Sequence, residues 1–387
     1  MRQLGELNVI MTWKNAAAPN GLRCIYTNVD CFNNKKDELI ARINESDPDV
    51  IGLTEVNPKS STWKPTPQEL TIDGYNLYSN LDGRGSVLYV KNNLQSLELY
   101  TTCKSSVWCS LKLKGRDVLL IGVLYRSPGS SVSENNMFIE QFSTVMKEKH
   151  SHLLIIGDFN FPEIDWSLQI SNASRNHPSH DFISCYKDSF LYQHVTQPTH
   201  YRAQQNANIL DVIMTNQNDM VDSLQYREPI GKSHHVVLDW TFNCYGLKSQ
   251  SKSTKYFYDR GDFEAMRNCF KTYDWAYILS DKSVDEMWES IHNLVHATVD
   301  KFVPHRSIKA GHCARRKPVW MNERVMCKLK TKGKSFQRYK ERRDGKDYLE
   351  YVKVRNAAKA RLEKRLEITR KKWLNWLKET QRYSTNM

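Results

Sequence analysis

The nine cysteines of this 387-residue chain follow no pairing rule: they are scattered, odd in number, and never spaced Cys-x-x-Cys. That excludes a disulfide framework and a cysteine-bound zinc module, and it fits reduced thiols in an intracellular protein. No apolar run reaches the length of a membrane span, and the first residues, MRQLGELNVIMTW, lack the apolar core of a signal peptide. A membrane partner is therefore not expected. Internal repeats and low-complexity tracts are absent. Gly231-Lys232-Ser233 matches the end of a P-loop, but Tyr226 stands where the loop needs its first glycine. His177, His180 and the pair His234-His235 come without an HExxH helix, which leaves zinc unsupported.

What is present is a division of charge. The formal net charge is +13, yet residues 1–245 sum to about −4 and residues 246–387 to about +17. A near-neutral body followed by a strongly basic extension is the asymmetry of a nucleic-acid enzyme with an anchoring arm. Length agrees with two units, since about 240 residues suit one large α/β domain and the remainder exceeds a tail. The boundaries expected are a loose leader over 1–20, a domain over 21–245, and a polar Ser/Lys-rich linker over 246–260. A short helical segment follows over 261–305, with two helices anchored by Trp275 and Trp288, and then a basic helical connector over 306–387. Within that connector HRSIKAGHCARRKPVW reads as loop. Leu362, Leu366, Trp373 and Leu377 fall at steps of four and seven and predict a long helix from about Asp347 to Thr380. From Arg306 onward basic residues outnumber acidic ones about three to one, which makes this surface a candidate for tracking phosphates, possible RNA included. Solubility alone would use the same charges. Trp373 on the apolar stripe is expected to seal a helix interface, while Trp376 has the shape to stack on bases.

The chemistry concentrates in LLIIGDFNFPEIDW (Leu153–Trp166). Leu153 to Ile156 reads as a buried strand, broken at Gly157, with Asp158 and Asn160 at strand spacing after it. A carboxylate there can orient or deprotonate water and a carboxamide can donate to a phosphoryl oxygen. A turn capping its own strand uses the same residue types, so the cluster alone does not decide. Other apolar runs end in the same way. CIYTNVD delivers Asn28, Asp49–Leu53 is followed by Glu55, and VLLIGVLYRSP delivers Tyr125 and Arg126. Gly85–Val90 is a further strand, NILDVIMTN carries Asp211, and GKSHHVVLDW sets His234 and His235 ahead of a last strand. Each residue singly has a bland explanation. Polar residues at the ends of several buried strands are, however, how α/β sheets build a site at one edge.

The order Asn, Glu, Tyr, Asp/Asn, Asp, His resembles the endonuclease/exonuclease/phosphatase superfamily. The phrases YTNVDCFNNKKDEL, DPDVIGLTEVN, YRSPGSS, LLIIGDFNFPEIDW, QPTHYRAQQNANILDVIMTN and GKSHHVVLDW narrow the likeness to the endonuclease domain of non-LTR retrotransposons of the jockey-like or LINE kind, over about residues 22–240. Pattern alone supports an α/β class. The resemblance implies a DNase I-like sandwich of two mostly antiparallel sheets flanked by helices, followed by the basic helical extension. It also implies roles. Glu55 would be the principal ligand of Mg²⁺ (or Mn²⁺), with Asn28 beside it, and Tyr125 would contact the scissile phosphate. Asp158 would activate water, Asn160 would orient Asp158 and the phosphate, and His235 would stabilise phosphoryl charge with Asp211 holding its imidazole. Arg126, Ser233 and His234 would face nucleic acid. DNA is the implied partner and the nucleus the implied place of action on chromosomal DNA. Oxygen-only ligands suit a hard cation.

One departure stands out. The family's last motif reads Ser-Asp-His, and here it is Ser233-His234-His235. Histidine cannot supply an aspartate's negative charge, so a weakened nuclease is expected. RKPVWMNERV resembles the connector that precedes a reverse transcriptase, and no polymerase motif follows it. The expectation is an endonuclease plus connector that cannot polymerise.

Overall fold

The computed structural model describes residues 21–59, 64–99, 106–146, 150–202, 205–244, 252–309 and 317–385. The leader over 1–20 lies outside them. The described residues before 249 and after 315 form one compact unit, and those between form a second.

The first unit opens with β1 (Leu22–Asn28), α1 (Lys36–Ser46), β2 (Val50–Thr54), α2 (Pro67–Leu70), β3 (Tyr75–Asn80) and β4 (Ser86–Lys91). Then come β5 (Ser96–Leu99), β6 (Ser106–Lys112), β7 (Val118–Tyr125), α3 (Val132–Met146) and β8 (His152–Asp158). Two short strands, β9 (Ile164–Asp165) and β10 (Ile170–Ser171), precede α4 (Pro178–Asp188), β11 (Tyr192–Gln193), β12 (Asp211–Thr215), β13 (Val221–Arg227) and β14 (Val237–Phe242).

These strands make two six-stranded sheets, ordered β13-β14-β1-β2-β4-β3 and β11-β12-β8-β7-β6-β5. In each, one central pair is parallel (β1 with β2, β7 with β8) and every other pairing is antiparallel. The central strands read as unbroken apolar runs because both faces are covered. Alternate residues Cys24, Tyr26, Val50, Ile121, Val123, Leu154, Ile156 and Ile213 meet between the sheets. The intervening residues of the first sheet, Ile25, Ile51 and Leu53, pack under Leu39 and Ile43 of α1. Those of the second, Leu153, Ile155, Val212 and Met214, pack under Phe138, Phe142 and Phe182 of α3 and α4. This is the α/β sandwich the sequence implied.

The second unit holds β15 (Lys252–Tyr256), α5 (Phe263–Thr272), α6 (Trp275–Leu279), α7 (Val284–Phe302) and β16 (His305–Lys309). It differs from expectation in detail. The stretch read as linker contains β15, which pairs antiparallel with β16 inside the stretch read as loop. A lysine- and serine-rich ribbon carries no apolar period to betray it. Three helices stand where two were expected. Trp275 does anchor, stacking on Phe270 and donating its indole N–H to the Phe270 carbonyl, whereas Trp288 is 68% exposed.

After this unit α8 (Glu323–Arg342) and α9 (Gly345–Thr385) return to the first. Helix α8 escaped the sequence reading because its buried stripe, Val325, Lys332, Phe336 and Tyr339, has a lysine at its centre. In α9 Tyr351, Ala358 and Leu362 are buried, but Trp373 is 59% exposed and seals no interface among the described residues. Among the described residues no helix is long and apolar enough to cross a membrane, and no disulfide joins any two of the seven described cysteines.

Candidate active site

Register brings the polar strand ends together. Asn28 lies beside Thr54 in the parallel β1–β2 pair, and Tyr125 beside Asp158 in the parallel β7–β8 pair. Asp211, opening β12, sits directly opposite Asp158. Gly157 permits this closeness: a Cβ there would stand 2.0 Å from the Leu124 carbonyl oxygen, so no larger residue fits before Asp158.

Side-chain contacts join the two sheets across this edge. Asn28 Nδ2 donates to Asp158 Oδ2 at 2.7 Å. The Tyr125 hydroxyl feels the negative charge of the nearby Glu55 carboxylate. His235 Nδ1 and Asp211 Oδ2 are 2.8 Å apart, while His235 Nε2 lies 3.8 Å from Asp158 Oδ2. Asp158 and Asp211 are fully buried and His235 is nearly so. Burial works against the imidazolium, but the Asp211 and Asp158 carboxylates outweigh it and raise the His235 pKa above the ordinary histidine value. The Asp158 pKa is also raised, by burial first, then by the negative charges of Asp211 and Glu55, against the pull of His235 and of the Asn28 bond. Burial likewise raises Tyr125, with Glu55 adding to it.

Asp158, Asp211 and His235 lie close enough to suggest a metal cluster. The chemistry argues against histidine as a ligand, because its Nδ1 is committed to Asp211 and the surroundings hold the ring as a cation. The oxygen donors fit a hard divalent ion better. Asp158 Oδ1 is buried without a hydrogen-bond partner, and the Glu55 carboxylate adds negative charge beside it. Glu55 is not free of competition, since the Arg84 guanidinium pairs with its Oε2 and also reaches Asp30 Oδ1 at 2.9 Å.

The remaining sequence-predicted residues are placed as follows. Asn160 does not touch Asp158: its Nδ2 donates to the Arg126 carbonyl at 2.9 Å, and Asn28 supplies the carboxamide that Asp158 receives. Arg126, expected to face nucleic acid, is buried. Its guanidinium donates to Asn135 Oδ1 and to the Asn160 carbonyl and lies over the Phe161 ring, so it braces the turn after Asp158. Ser233 is buried too; its hydroxyl donates to the Asn28 carbonyl and accepts the His235 N–H. The His234 ring is half-buried, and burial together with Arg202 holds its pKa below the ordinary value, so it remains neutral.

Several participants escaped the sequence reading. Tyr26, inside β1, donates its hydroxyl to Asp211 Oδ1 at 3.2 Å, and Thr199 Oγ1 accepts the Asp211 N–H at 3.0 Å. His200 packs its ring on His235 with centroids 4.8 Å apart. Thr199 and His200 lie in the QPTH phrase, which was a usable signal, whereas nothing in the spacing ties Tyr26 or Arg84 to the site. Left-handed backbone is a second mark the sequence does not show. Asp30, Cys31, Glu55 and Asn160 have φ of 40°, 77°, 54° and 49°, a conformation costing about 1–3 kcal/mol each and concentrated at functional sites.

A buried carboxylate–imidazole–carboxylate chain where the strand ends of the two sheets meet is suited to moving a proton during hydrolysis. Residues 119–238 match the family described as "Endonuclease-reverse transcriptase". Among solved structures the chain is similar to the endonuclease domain of TRAS1, a telomere-specific non-LTR retrotransposon, with 14% identity, 58% of this chain and 99% of that one covered, and a TM-score of 0.46. It is also similar to an AP endonuclease from Archaeoglobus fulgidus (13% identity, 57% and 99% covered, TM-score 0.43) and to the Xenopus laevis APE2 catalytic domain (13%, 59% and 94%, 0.45). No curated protein sequence matches the chain.

Proposed function

We propose that this protein is a divalent-metal-dependent endonuclease that nicks DNA and leaves a 3′-hydroxyl. The observation that carries the reading is the Asp158–His235–Asp211 chain, closed by Asn28 on one side and flanked by the Glu55–Tyr125 pair. Asp158, with a proton affinity raised toward neutrality, is suited to take a proton from the attacking water. Asn28 keeps its carboxylate aimed. His235, charged and steadied by Asp211, faces the phosphoryl oxygens as negative charge gathers on them, and its Nε2–H can serve the departing 3′-oxygen. Water attack forms the new P–O bond, the P–O3′ bond breaks, and the phosphate stays on the 5′ side. Tyr125 would bind the phosphate. Glu55, with Asn28 beside it, would hold Mg²⁺, which supplies charge neutralisation for the phosphoryl group when bound.

DNA is the proposed polymer, supported by the +17 balance of the residues after 245. Arg84 on Glu55 and a neutral His234 favour a second reading, a nucleic-acid-binding protein with little catalysis left. Supercoiled plasmid incubated with Mg²⁺ or with EDTA separates the two, using the full chain and its Glu55→Ala variant. Mg²⁺-dependent relaxation lost in the variant supports the nuclease; equal relaxation in both removes it.

A further inference from the structure

Helix α8 reaches into the segment that carries His235. Lys332, at its centre, has no solvent exposure, and its ammonium donates to the Pro229 carbonyl at 2.6 Å and to the Glu38 carboxylate of α1. The other Glu38 oxygen accepts the Gly231 N–H at 3.1 Å. Two residues further, Ser233 Oγ donates to the Asn28 carbonyl at 2.8 Å and accepts the His235 N–H at 3.2 Å. The same helix holds the neighbouring loop segment. Phe336 packs on Tyr201 with centroids 5.6 Å apart, Arg343 just past the helix lies over the Tyr201 ring at 4.7 Å, and the Tyr201 N–H donates to the His234 carbonyl at 2.8 Å. Residues 229–235 are thus tied at both ends to α8, one of the two C-terminal helices.

A buried ammonium costs several kcal/mol unless paired, and an apolar side chain would seat a helix at lower cost. What the ion pair adds is register: Glu38 meets Lys332 and Gly231 at once, so the position of α8 sets the height of the turn. Gly231 adopts φ +58° and a Cβ there would come within 2.8 Å of the Lys35 side chain, which leaves the turn little freedom.

We propose that Lys332 is a positioning residue for His235, and that docking of α8 completes the active site rather than merely adding basic surface. This rests on the nuclease reading for its activity arm alone. The test uses the full chain. The hydrogen-bonded His235 Nδ1 proton facing Asp211 gives a far-downfield NMR resonance that needs no turnover. In Lys332→Met that resonance is expected to broaden or move upfield, and kcat for plasmid nicking to fall about tenfold or more with KM nearly unchanged, as follows from a small misplacement of a catalytic group. Lys332→Arg restores part of both, and the exposed Thr331→Ala changes neither. Should Lys332→Met fail to fold, Glu38→Gln removes the charge facing the ammonium and is expected to shift the same resonance. Melting that drops while resonance and kcat per folded molecule hold would overturn the proposal, as would an unaltered resonance in Glu38→Gln. An inactive parent would sink the nuclease reading and leave the resonance to decide this one.

Discussion

Replacing Asp211 by asparagine isolates the charge that sustains His235. The substitution keeps shape: a carboxamide oxygen can still accept from His235 Nδ1, and its NH₂ can face the Tyr26 hydroxyl, which already bonds Thr54. What disappears is the ionic part of a buried 2.8 Å bond. A hydrogen bond to a charged partner is worth about 1.5–3 kcal/mol and a neutral one about 0.5–1.5, so the imidazolium loses about 1–2 kcal/mol. Since one pH unit corresponds to about 1.4 kcal/mol, the His235 titration moves acidward by about one unit or more. Burial then weighs more heavily against the Asp158 and Glu55 charges that still favour the imidazolium. At pH 8 nicking should fall about 5- to 30-fold, with the deficit shrinking as pH is lowered toward 6. Stability has the matching sign. A histidine whose folded pKa is raised stabilises fully below its unfolded value near 6.5, and that contribution is lost as pH rises through the folded value. Asp211→Asn is therefore most destabilised in mild acid and closest to the parent in alkali. The assay is plasmid relaxation in Mg²⁺ from pH 6 to 9, with thermal melts in the same buffers. Parental nicking at pH 8, or a loss equal at every pH, would refute the assignment.

In EDTA the protein should melt at progressively lower temperature as pH rises from about 5 to 8. Asp158 and His235 both have raised pKa values when folded, so the native state binds more protons than the unfolded chain across that window. Mg²⁺ at 100 times its Kd should restore about 2.7 kcal/mol at pH 8; a melting temperature indifferent to pH and to Mg²⁺ would remove the metal site. His234→Asp should raise Mg²⁺-dependent nicking, because it adds a carboxylate near Asp30 in place of a neutral ring; unchanged or reduced nicking would show that His234 is no defect. Arg361 and Lys364 line a groove with Arg324 and Arg365. Their joint replacement by alanine should lessen the log–log salt slope of DNA binding by about 2, and an unaltered slope would place the phosphate track elsewhere.

Much of the catalytic edge was legible because buried central strands are covered on both faces and announce themselves as apolar runs with one polar terminus. Leu153–Ile156, Val118–Pro128 and Asp49–Leu53 were readable for that reason, although β8 runs on through Gly157 to Asp158 instead of breaking at the glycine. Half-exposed strands were not: β5 and β13 mix exposed and partly buried residues, and their register comes from neighbours. Side-chain direction was also hidden. Asp158 and Asn160 share strand spacing in the sequence, but Asn160 turns left-handed and its carboxamide goes to the Arg126 carbonyl. Arg126 read as a surface cation because nothing local reveals that Asn135, the Asn160 carbonyl and Phe161 surround it. Helix α8 was missed because a buried lysine interrupts its stripe, and its partner, Glu38, lies 294 residues away.

Two bonds at the catalytic edge cross between the sheets: Asn28 at the end of β1 and His235 just before β14 meet Asp158 at the end of β8 and Asp211 at the start of β12. Neither half of the sandwich holds a working set, so the spacing between the halves behaves as a tuning parameter of turnover. Gly52 sits in that seam, where an added methyl would meet Ile156 Cδ1 at 2.5 Å. Prising the layers apart there by a few tenths of an ångström would lengthen both contacts together. Catalysis would then fade in a protein that still melts cooperatively, and buried apolar positions far from any phosphate would score as active-site residues in a screen for function.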